Sequence, residues 1–331
     1  MESWPDGGDV EESSLRLGSQ IGKGGQGVVR LVTGQPVPLV YKQYTIPGAD
    51  PVALRNLVEL PASLPSPERE QLLRSAAWPL ARVMRRGQLC GFLMPEIPAH
   101  FRGTNIAGTS KMRELQYLLY RPKPLWGNIV PPALPFGTRT EVATEFTRIL
   151  CQLHGRSLVV GDISMSNVLW APGTPARVYL IDCDGIRRLG SRPVLPQAET
   201  PDWNDPQRPP SGPDLDSDRY KLALLVARVL CAEPYLRPDG TDLDLPSEVP
   251  SRVAEKVRLL WTQAAGGRGT RPDAAQWLAA LAGRVEIPLG PPPTVRPRPA
   301  IPMVELEGHR GPRPVIPMRP GNGPGIAPRP Q

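Results

Sequence analysis

The sequence predicts an α+β protein of two lobes, in which a small strand-rich lobe precedes a larger, mostly helical one. Three patterns predict it: a glycine-rich hairpin near the start, helical periodicity from Thr138 onward, and an apolar helix near residue 280. With 331 residues, the chain is long enough to bury a sizeable core. Composition divides the chain into a polar leader, a small lobe, an irregular connection, a helical lobe and a tail, with the bounds 1–14, 15–97, 98–138, 139–286 and 287–331.

The small lobe opens with a G-x-G-x-x-G-x-V pattern, formed by Gly22, Gly24, Gly27 and Val29. Such glycines allow a backbone to close over phosphates without an intervening Cβ, and the valine can cover the face of adenine. A strand-like run, a turn and a second strand follow, over 28–44. Strand, glycines and strand predict a hairpin flap, whereas a dinucleotide site requires a helix after the glycines.

The most informative residues lie in the helical lobe, where Asn167 follows Asp162 by five positions and Asp182 ends the next apolar run. Phosphoryl transfer from ATP requires one carboxylate to orient the attacking hydroxyl, and an amide oxygen and a second carboxylate to hold magnesium ions. Asp184 also follows this run, but the required carboxylate belongs directly at the strand end. We therefore assign the metal ligand to Asp182, with Asp184 as an assisting group.

Lys42 lies on the strand after the flap and completes the order of glycine flap, strand lysine, Asp-x4-Asn and strand-end Asp. In this order the chain resembles the eukaryotic-like serine/threonine protein kinases, the Hanks type of bacteria, over about residues 15 to 285. The resemblance implies a two-lobed kinase-like fold, the cofactors ATP and Mg²⁺, and a protein substrate. It also implies roles for Lys42 at the phosphates, Asp162 as the catalytic Asp, and Asn167 and Asp182 as metal ligands.

The resemblance also implies a glutamate partner for Lys42. Glu59 follows the lysine by 17 residues on a predicted helix over 51–60, and it is the candidate we favour. Glu68 and Glu70 are the alternatives, and any of the three could instead be a solvated surface residue.

An adenine-binding hinge is implied at the end of the small lobe. If Met94 is the gatekeeper, Pro95 supplies a carbonyl and Ile97 supplies an N–H to the adenine ring. The proline could equally be the terminator of an edge strand.

Three later features favour a protein substrate. They are the segment from Thr200-Pro201 to Pro206, similar to the end of a kinase activation loop; Asp218, similar to the residue that holds the catalytic-loop backbone; and Arg271, similar to a late structural arginine. Small-molecule phosphotransferases share the catalytic loop but lack this set. The alternatives left open are such a phosphotransferase and an ATP-binding pseudokinase that acts as a scaffold.

Three departures mark the chain as a divergent, non-RD form. Gly161 replaces the arginine that usually precedes the catalytic Asp, so switching by activation-loop phosphorylation is not expected. Ser164 replaces the lysine that usually steadies the γ-phosphate, and it leaves the acceptor specificity open. Gln207 replaces the glutamate that usually pairs with Arg271, which reduces that pair to a hydrogen bond. No metal ligand is lost, so we expect an active enzyme.

The tail is rich in Pro, Arg and Gly and is predicted to be disordered. It contains two copies of one seven-residue word, at 297–303 and 312–318, which suggest either low-complexity drift or a bivalent docking motif for a partner. Six arginines and two glutamates in 288–331 account for +4 of the net charge of +7, so nucleic-acid binding is not expected.

Location follows from what the sequence lacks. It shows no apolar signal segment at its start and no run of about 18 apolar residues, so neither secretion nor a membrane span is expected. The four cysteines are scattered without metal-binding spacing, and we expect them to be reduced and mostly buried in a cytoplasmic protein. They are Cys90, Cys151, Cys183 and Cys231.

Overall fold

A computed structural model describes residues 8–197 and 199–283. The chain divides into two units, 1–286 and 287–331, and every described residue belongs to the first. The predicted tail, with its repeated word, therefore lies outside the described residues.

A six-stranded sheet forms the small lobe, in the order β1-β5-β6-β4-β3-β2. β2 and β3 form the antiparallel glycine hairpin, as the sequence predicts, and β4 pairs with both β3 and β6. The strands are β1 (Asp9–Glu11), β2 (Leu17–Lys23), β3 (Gly27–Val32), β4 (Leu39–Tyr44), β5 (Ala81–Arg85) and β6 (Gln88–Pro95).

The first strand lies within the segment predicted to be a polar leader, and it runs parallel to β5. Its acidic residues are partners of the sheet. Asp9 accepts two hydrogen bonds of 2.7 Å from the buried Arg82, and Glu12 pairs with Arg85 and with the hydroxyl of Tyr41. The leader prediction is wrong for residues 9–14, because their charge matches arginines about 73 residues away.

Two helices follow β4 where the sequence predicts one. They are α1 (Pro51–Glu59) and α2 (Ser66–Ser75), and prolines at 61 and 65 separate them. Asp50 caps α1 by accepting hydrogen bonds from the N–H groups of Val52 and Ala53. Leu54, Leu57 and Val58 form the buried face of α1.

The connection predicted to be irregular contains a short hairpin and a helical turn: β7 (Arg102–Thr104), β8 (Ser110–Met112) and α3 (Gln116–Leu119). Its order comes from Arg113, whose buried guanidinium donates to the carbonyls of His100, Asn128 and Ile129. One side chain thus satisfies backbone carbonyls of two separate segments, around His100 and at 128–129, which sequence periodicity does not reveal.

Long helices dominate the second lobe: α4 (Gly137–His154), α5 (Leu215–Cys231), α6 (Ser251–Ala264) and α7 (Ala274–Leu281). The sequence predicts a helix that begins with a capping box at Thr138–Glu141 and ends at about His154. α4 does end at His154, but the capping box does not form. Thr138 is buried inside the helix, and Glu141 accepts from the N–H of Ala176 instead. α7 carries a capping box, between Asp273 and Gln276.

Four short strands near the junction of the lobes carry the functional loops: β9 (Leu158–Val159), β10 (Val168–Ala171), β11 (Arg177–Leu180) and β12 (Arg187–Arg188). β10 pairs with β11, and β9 pairs with β12, both antiparallel. α5 is buried along nearly its whole length, and this places a rigid element directly beneath these loops.

Over the described residues, no helix is both long and apolar enough to cross a membrane. All four cysteines are free thiols. Only Cys183 is buried, and the other three are half-buried, so the expectation of mostly buried thiols is wrong.

Candidate active site

One cavity of about 270 Å³ contains all the predicted catalytic and metal-binding residues: Lys42, Asp162, Asn167 and Asp182. The register of the strand pair β3–β4 explains part of this arrangement, because it places Val29 opposite Lys42. The other lining residues are Gly24, Gly25, Gln26, Gly27, Val29, Asp184, Gly185, Leu195 and Gln197. Gly22 lies on β2, outside the lining.

The glycine flap closes one side of this cavity. The N–H of Gly24 donates to the carbonyl of Gly27 over 2.9 Å, which makes the turn tight. A Cβ on Gly27 would lie 2.5 Å from the carbonyl oxygen of Gln43, so the neighbouring strand requires this glycine. By contrast, a Cβ on Gly24 or Gly25 would meet nothing within 4 Å, which leaves their backbone open for a ligand to approach.

Asp162 is held by hydrogen bonds on both carboxylate oxygens. The amide nitrogen of Asn167 donates to one oxygen over 2.8 Å and to the Asp162 carbonyl over 3.0 Å. The hydroxyl of Thr200 donates to the other oxygen over 3.1 Å. Since Asn167 uses its nitrogen in this way, its amide oxygen is available to a cation.

The backbone that carries Asp162 rests on α5. Asp218, fully buried, accepts hydrogen bonds from the N–H groups of Val160 (2.7 Å) and Gly161 (2.8 Å). Lys221, also fully buried, donates to the Gly161 carbonyl over 2.8 Å. Asp218 therefore makes the contacts expected of it. Sequence inspection missed Lys221, because its contact with Gly161 joins residues that are 60 positions apart.

Two aspartates hold the ammonium of Lys42. Its Nζ lies 2.7 Å from Asp184 and 3.2 Å from Asp182. Burial by itself lowers the pKa of Lys42, but the charges of Asp184 and then Asp182 outweigh it and raise the pKa above its ordinary value. Glu59 is exposed on α1 and makes no ion pair among the described residues. The structure thus does not bring Glu59 to Lys42, because Glu59 lies on the exposed side of α1, opposite the buried Leu57 and Val58.

Asp182 and Asn167 are the residues that could hold a cation. Asp182 has a left-handed backbone, with φ of 55° and ψ of 41°, and 59% of its side chain is exposed. Within residues 8–197 and 199–283, no group of three or more His, Cys, Asp or Glu side chains is placed to hold a metal ion by itself. Mg²⁺ fits this arrangement, because it is usually held by one or two protein oxygens together with phosphates and waters.

The predicted hinge residues lie apart from this cavity. Met94 and Pro95 end β6, and Ile97 is half-buried just beyond it. Glu96 donates its N–H to the carbonyl of Pro38, whereas the N–H of Ile97 makes no hydrogen bond within the described part of the chain. Ile97 therefore retains the free donor that the hinge hypothesis requires.

The segment between Asp182 and Pro206, here called the activation segment, is held by Gln197. Its side-chain oxygen accepts from Arg187 over 2.6 Å, and its nitrogen donates to the Val160 carbonyl over 3.1 Å. A Cβ on Gly161 or Gly185 would lie 2.2 Å from the Gln197 side chain. Both glycines thus make room for this amide. Gly161 was noted as a lost arginine, but nothing in the sequence links it to Gln197.

The end of the activation segment contains a buried ion pair that sequence reasoning assigned wrongly. Arg271 donates two hydrogen bonds of 2.8 Å to Asp205, and both side chains are almost fully buried. Gln207, the position expected to bond Arg271, is exposed. The acidic partner lies two residues earlier, so the pair is a full bidentate salt bridge.

In the described part of the cavity lining, no second cation takes the place of the lysine missing at Ser164. Ser164 is fully buried and bonds the hydroxyl of Ser166 over 3.1 Å. Among the described residues that line the cavity, Lys42 is the one cation, against the carboxylates of Asp162, Asp182 and Asp184. The cavity therefore carries a formal excess of two negative charges, which favours a bound divalent cation.

The fold can be compared with known proteins. Neither a family model nor a curated protein matches the chain. Among solved structures it is similar to the kinase domain of PknI from Mycobacterium tuberculosis, crystallised as a double mutant, with a TM-score of 0.51. The two are 19% identical, over 82% of this chain and 95% of that one. The chain has the fold of a protein kinase domain. At this identity the likeness concerns the fold alone, and it confirms the two-lobed α+β prediction.

Proposed function

We propose that this protein is a protein kinase that transfers the γ-phosphoryl group of Mg-ATP to a serine or threonine hydroxyl of a protein. The observation that carries the proposal is the convergence of Lys42, Asp162, Asn167 and Asp182 on one cavity beneath a glycine flap. These four come from β4, from the loop after β9 and from the end of β11, so only the fold brings them together.

Each residue has a distinct task in this reaction. Asp162 accepts or orients the proton of the attacking hydroxyl, and its bonds from Asn167 and Thr200 fix the carboxylate for that purpose. Asn167 and Asp182 would hold Mg²⁺, which supplies charge neutralisation at the phosphates when bound. Lys42 donates to phosphate oxygens, and the glycine flap excludes water from above.

A polypeptide substrate suits this site because of Thr200. Its bond to Asp162 ties the catalytic carboxylate to the segment that begins at Thr200-Pro201. That segment is firmly packed: Trp203 is buried under the guanidinium of Arg228, and Asp205 pairs with Arg271. A rigid surface next to the catalytic Asp supports a polypeptide substrate, which needs an extended surface, more than it supports a small molecule.

We also propose that the activation segment needs no phosphate to be ordered. In the structure Arg187 is already engaged, by Gln197 and by the carbonyl of Pro213 over 2.5 Å. A neutral amide thus occupies the place where a phosphorylated residue would recruit a cation. The arginine absent at Gly161 would only compete with Gln197 for the same volume.

Radiolabelled ATP with a panel of generic proteins tests the proposal, with Asp162→Asn as the matched inactive control. Label on protein that disappears in the control supports a protein kinase. Label on a small metabolite would identify a small-molecule phosphotransferase, and nucleotide binding without turnover would identify a scaffold; either result contradicts the proposal.

The tail is a separate proposal, which rests on sequence alone. We propose that the two copies of the word at 297–303 and 312–318 bind a partner with grooves for polyproline segments, with effective concentration raising the affinity. Deletion of residues 288–331 should leave the rate on a generic protein unchanged and abolish capture of the partner. Loss of generic activity in the truncated protein would contradict this docking role.

A further inference from the structure

The two aspartates that hold Lys42 lie in very different environments. Asp184 is the closer, at 2.7 Å, and only 4% of its side chain is exposed. Asp182 lies at 3.2 Å and is 59% exposed. A buried carboxylate against a buried ammonium makes a fixed pair, whereas an exposed carboxylate at the cavity remains available to a ligand.

We propose that Asp184 is the positioning residue for Lys42, and that it takes the place of the helix glutamate used by protein kinases. The proposal deepens the kinase function and rests on it. The acidic pair after β11 then divides two tasks: Asp182 would hold the metal ion, and Asp184 fixes the lysine that would contact the phosphates. This division explains why the chain has Asp-Cys-Asp-Gly at 182–185, with an acid where the resemblance expects glycine.

The second oxygen of Asp184 is also bound from the same strand. The hydroxyl of Tyr44 donates to it over 3.1 Å. Tyr44 and Lys42 are two residues apart on β4, so both side chains project from one face. Phe92 on β6 lies against both, with its ring centroid 5.7 Å from the Lys42 ammonium and 5.9 Å from the Tyr44 ring. Both oxygens of Asp184 therefore accept from donors on one strand, and Phe92 packs against the two side chains that donate.

The three glutamates of the two helices are engaged elsewhere or exposed. Glu68 pairs with Arg156, Glu70 pairs with Arg74 over 3.4 Å, and Glu59 is exposed. None of them pairs with Lys42 within the described residues. In protein kinases the lysine–glutamate pair makes activity depend on the position of that helix. Here the pair joins β4 to the activation segment, so this form of control by helix movement is absent.

The first test is thermal stability, which does not depend on catalysis. Lys42→Met leaves Asp184 buried without its cation, and we expect a lower Tm. Adding Asp184→Asn removes the unpaired charge, so the double variant should recover most of the lost Tm. If the Tm losses of the two single variants simply add in the double variant, the proposal is overturned, because the two residues then act independently.

The second test separates positioning from metal binding. Asp184→Asn should raise the KM for ATP at least tenfold and leave unchanged the Mg²⁺ concentration that gives half-maximal rate. Asp182→Asn should shift that Mg²⁺ concentration, and Glu59→Gln should change neither quantity. A change in the half-maximal Mg²⁺ concentration in Asp184→Asn would overturn the proposal. A tenfold rise in the KM for ATP in Glu59→Gln would also overturn it.

Two further measurements keep the test decisive. If Asp184→Asn does not fold, Tyr44→Phe removes only one bond to Asp184 and should raise the KM for ATP about twofold to fivefold; an unchanged KM would overturn the proposal. If the wild-type protein transfers no phosphate, the kinase proposal fails by itself. The Tm pair and the affinity for a fluorescent ATP analogue then still test whether Asp184 acts through Lys42.

Discussion

The catalytic cavity and the base of the helical lobe balance their charges in opposite ways. In the cavity, three carboxylates face one ammonium, that of Lys42. At the base, three aspartates meet three arginines in a compact network. The members of this base network are Asp205, Asp214, Asp216, Arg219, Arg268 and Arg271.

The difference shows which charges serve the fold and which await a ligand. In the base network, the charges neutralise one another and the buried pair of Asp205 and Arg271 excludes solvent. In the cavity the exposed carboxylate of Asp182 is left in excess. Substitution of the exposed Asp182 in the cavity should therefore lower the rate without lowering stability, whereas substitutions in the base network should lower stability.

The largest expected effect is that of Asp182→Asn. It should lower the transfer rate by about a thousandfold, roughly 4 kcal/mol of barrier, because a ligand of the charge-stabilising cation is lost. The Tm should not change, since this side chain is largely exposed and asparagine tolerates the left-handed backbone. Rates over a series of Mg²⁺ concentrations and a thermal melt check both points, with Asp239→Asn as a surface control. A fall in Tm together with the rate would erase the contrast between the two regions.

Next in size is Asp205→Ala in the base network. It leaves Arg271 buried without its bidentate partner, and we expect the free energy of unfolding to fall by about 3 kcal/mol. Chemical denaturation measures this change. Arg74→Gln, which breaks an exposed pair with Glu70, is the matched control and should cost less than about 1 kcal/mol. Equal losses in the two variants would show that burial of the pair does not matter.

A smaller effect is expected at Gln197. Gln197→Ala removes two hydrogen bonds that hold the activation segment, each worth about 1 kcal/mol, so activity should fall about tenfold. The exposed Gln207 offers a control substitution, Gln207→Ala, for which we expect no change in activity.

Phosphatase treatment tests the same segment in the wild-type protein. Protein made in a host without kinases should be active, and treatment with a phosphatase should leave its rate unchanged. A large loss after phosphatase would show that a phosphate, and not Gln197, orders the segment.

The smallest effect concerns the pH dependence of stability at Asp214, which caps α5. Burial alone would raise the pKa of Asp214, but the N–H of Ser217 and the charge of Arg268 lower it below 3.8. The resulting stabilisation is present above pH 3.8 and is lost as the pH falls through the lowered pKa. Asp214→Asn should therefore be less stable by about 0.5 kcal/mol at pH 7, and in denaturation curves the gap should close as the pH falls through the lowered pKa of Asp214. A gap that persists in acid would contradict this origin.

The parts of the fold that sequence predicts well are those with local signals. The glycine hairpin and the end of α4 at His154 follow from turn residues and apolar periodicity. The order of the motifs also predicts that Lys42, Asp162, Asn167 and Asp182 share a cavity, and the structure places them in one.

Other features escape sequence reading because they depend on where loops place single side chains. Lys42 pairs with Asp184, and not with a helix glutamate, because the activation segment returns beneath β4. This contact joins residues that are 142 positions apart. Arg271 pairs with Asp205, and not with Gln207, because the chain turns after Asp205 and exposes Gln207. Pattern matching finds the expected residue type at the expected offset, whereas the fold requires only a carboxylate within reach.

The left-handed backbone of Asp182 creates a conflict between thermal stability and catalytic activity. A residue with a Cβ costs about 1 kcal/mol in this conformation, a cost that glycine does not incur. Selection for heat resistance alone would therefore favour Asp182→Gly, and the surviving proteins would have lost a proposed metal ligand. Directed evolution for thermostability of this chain should therefore include an activity screen in every round.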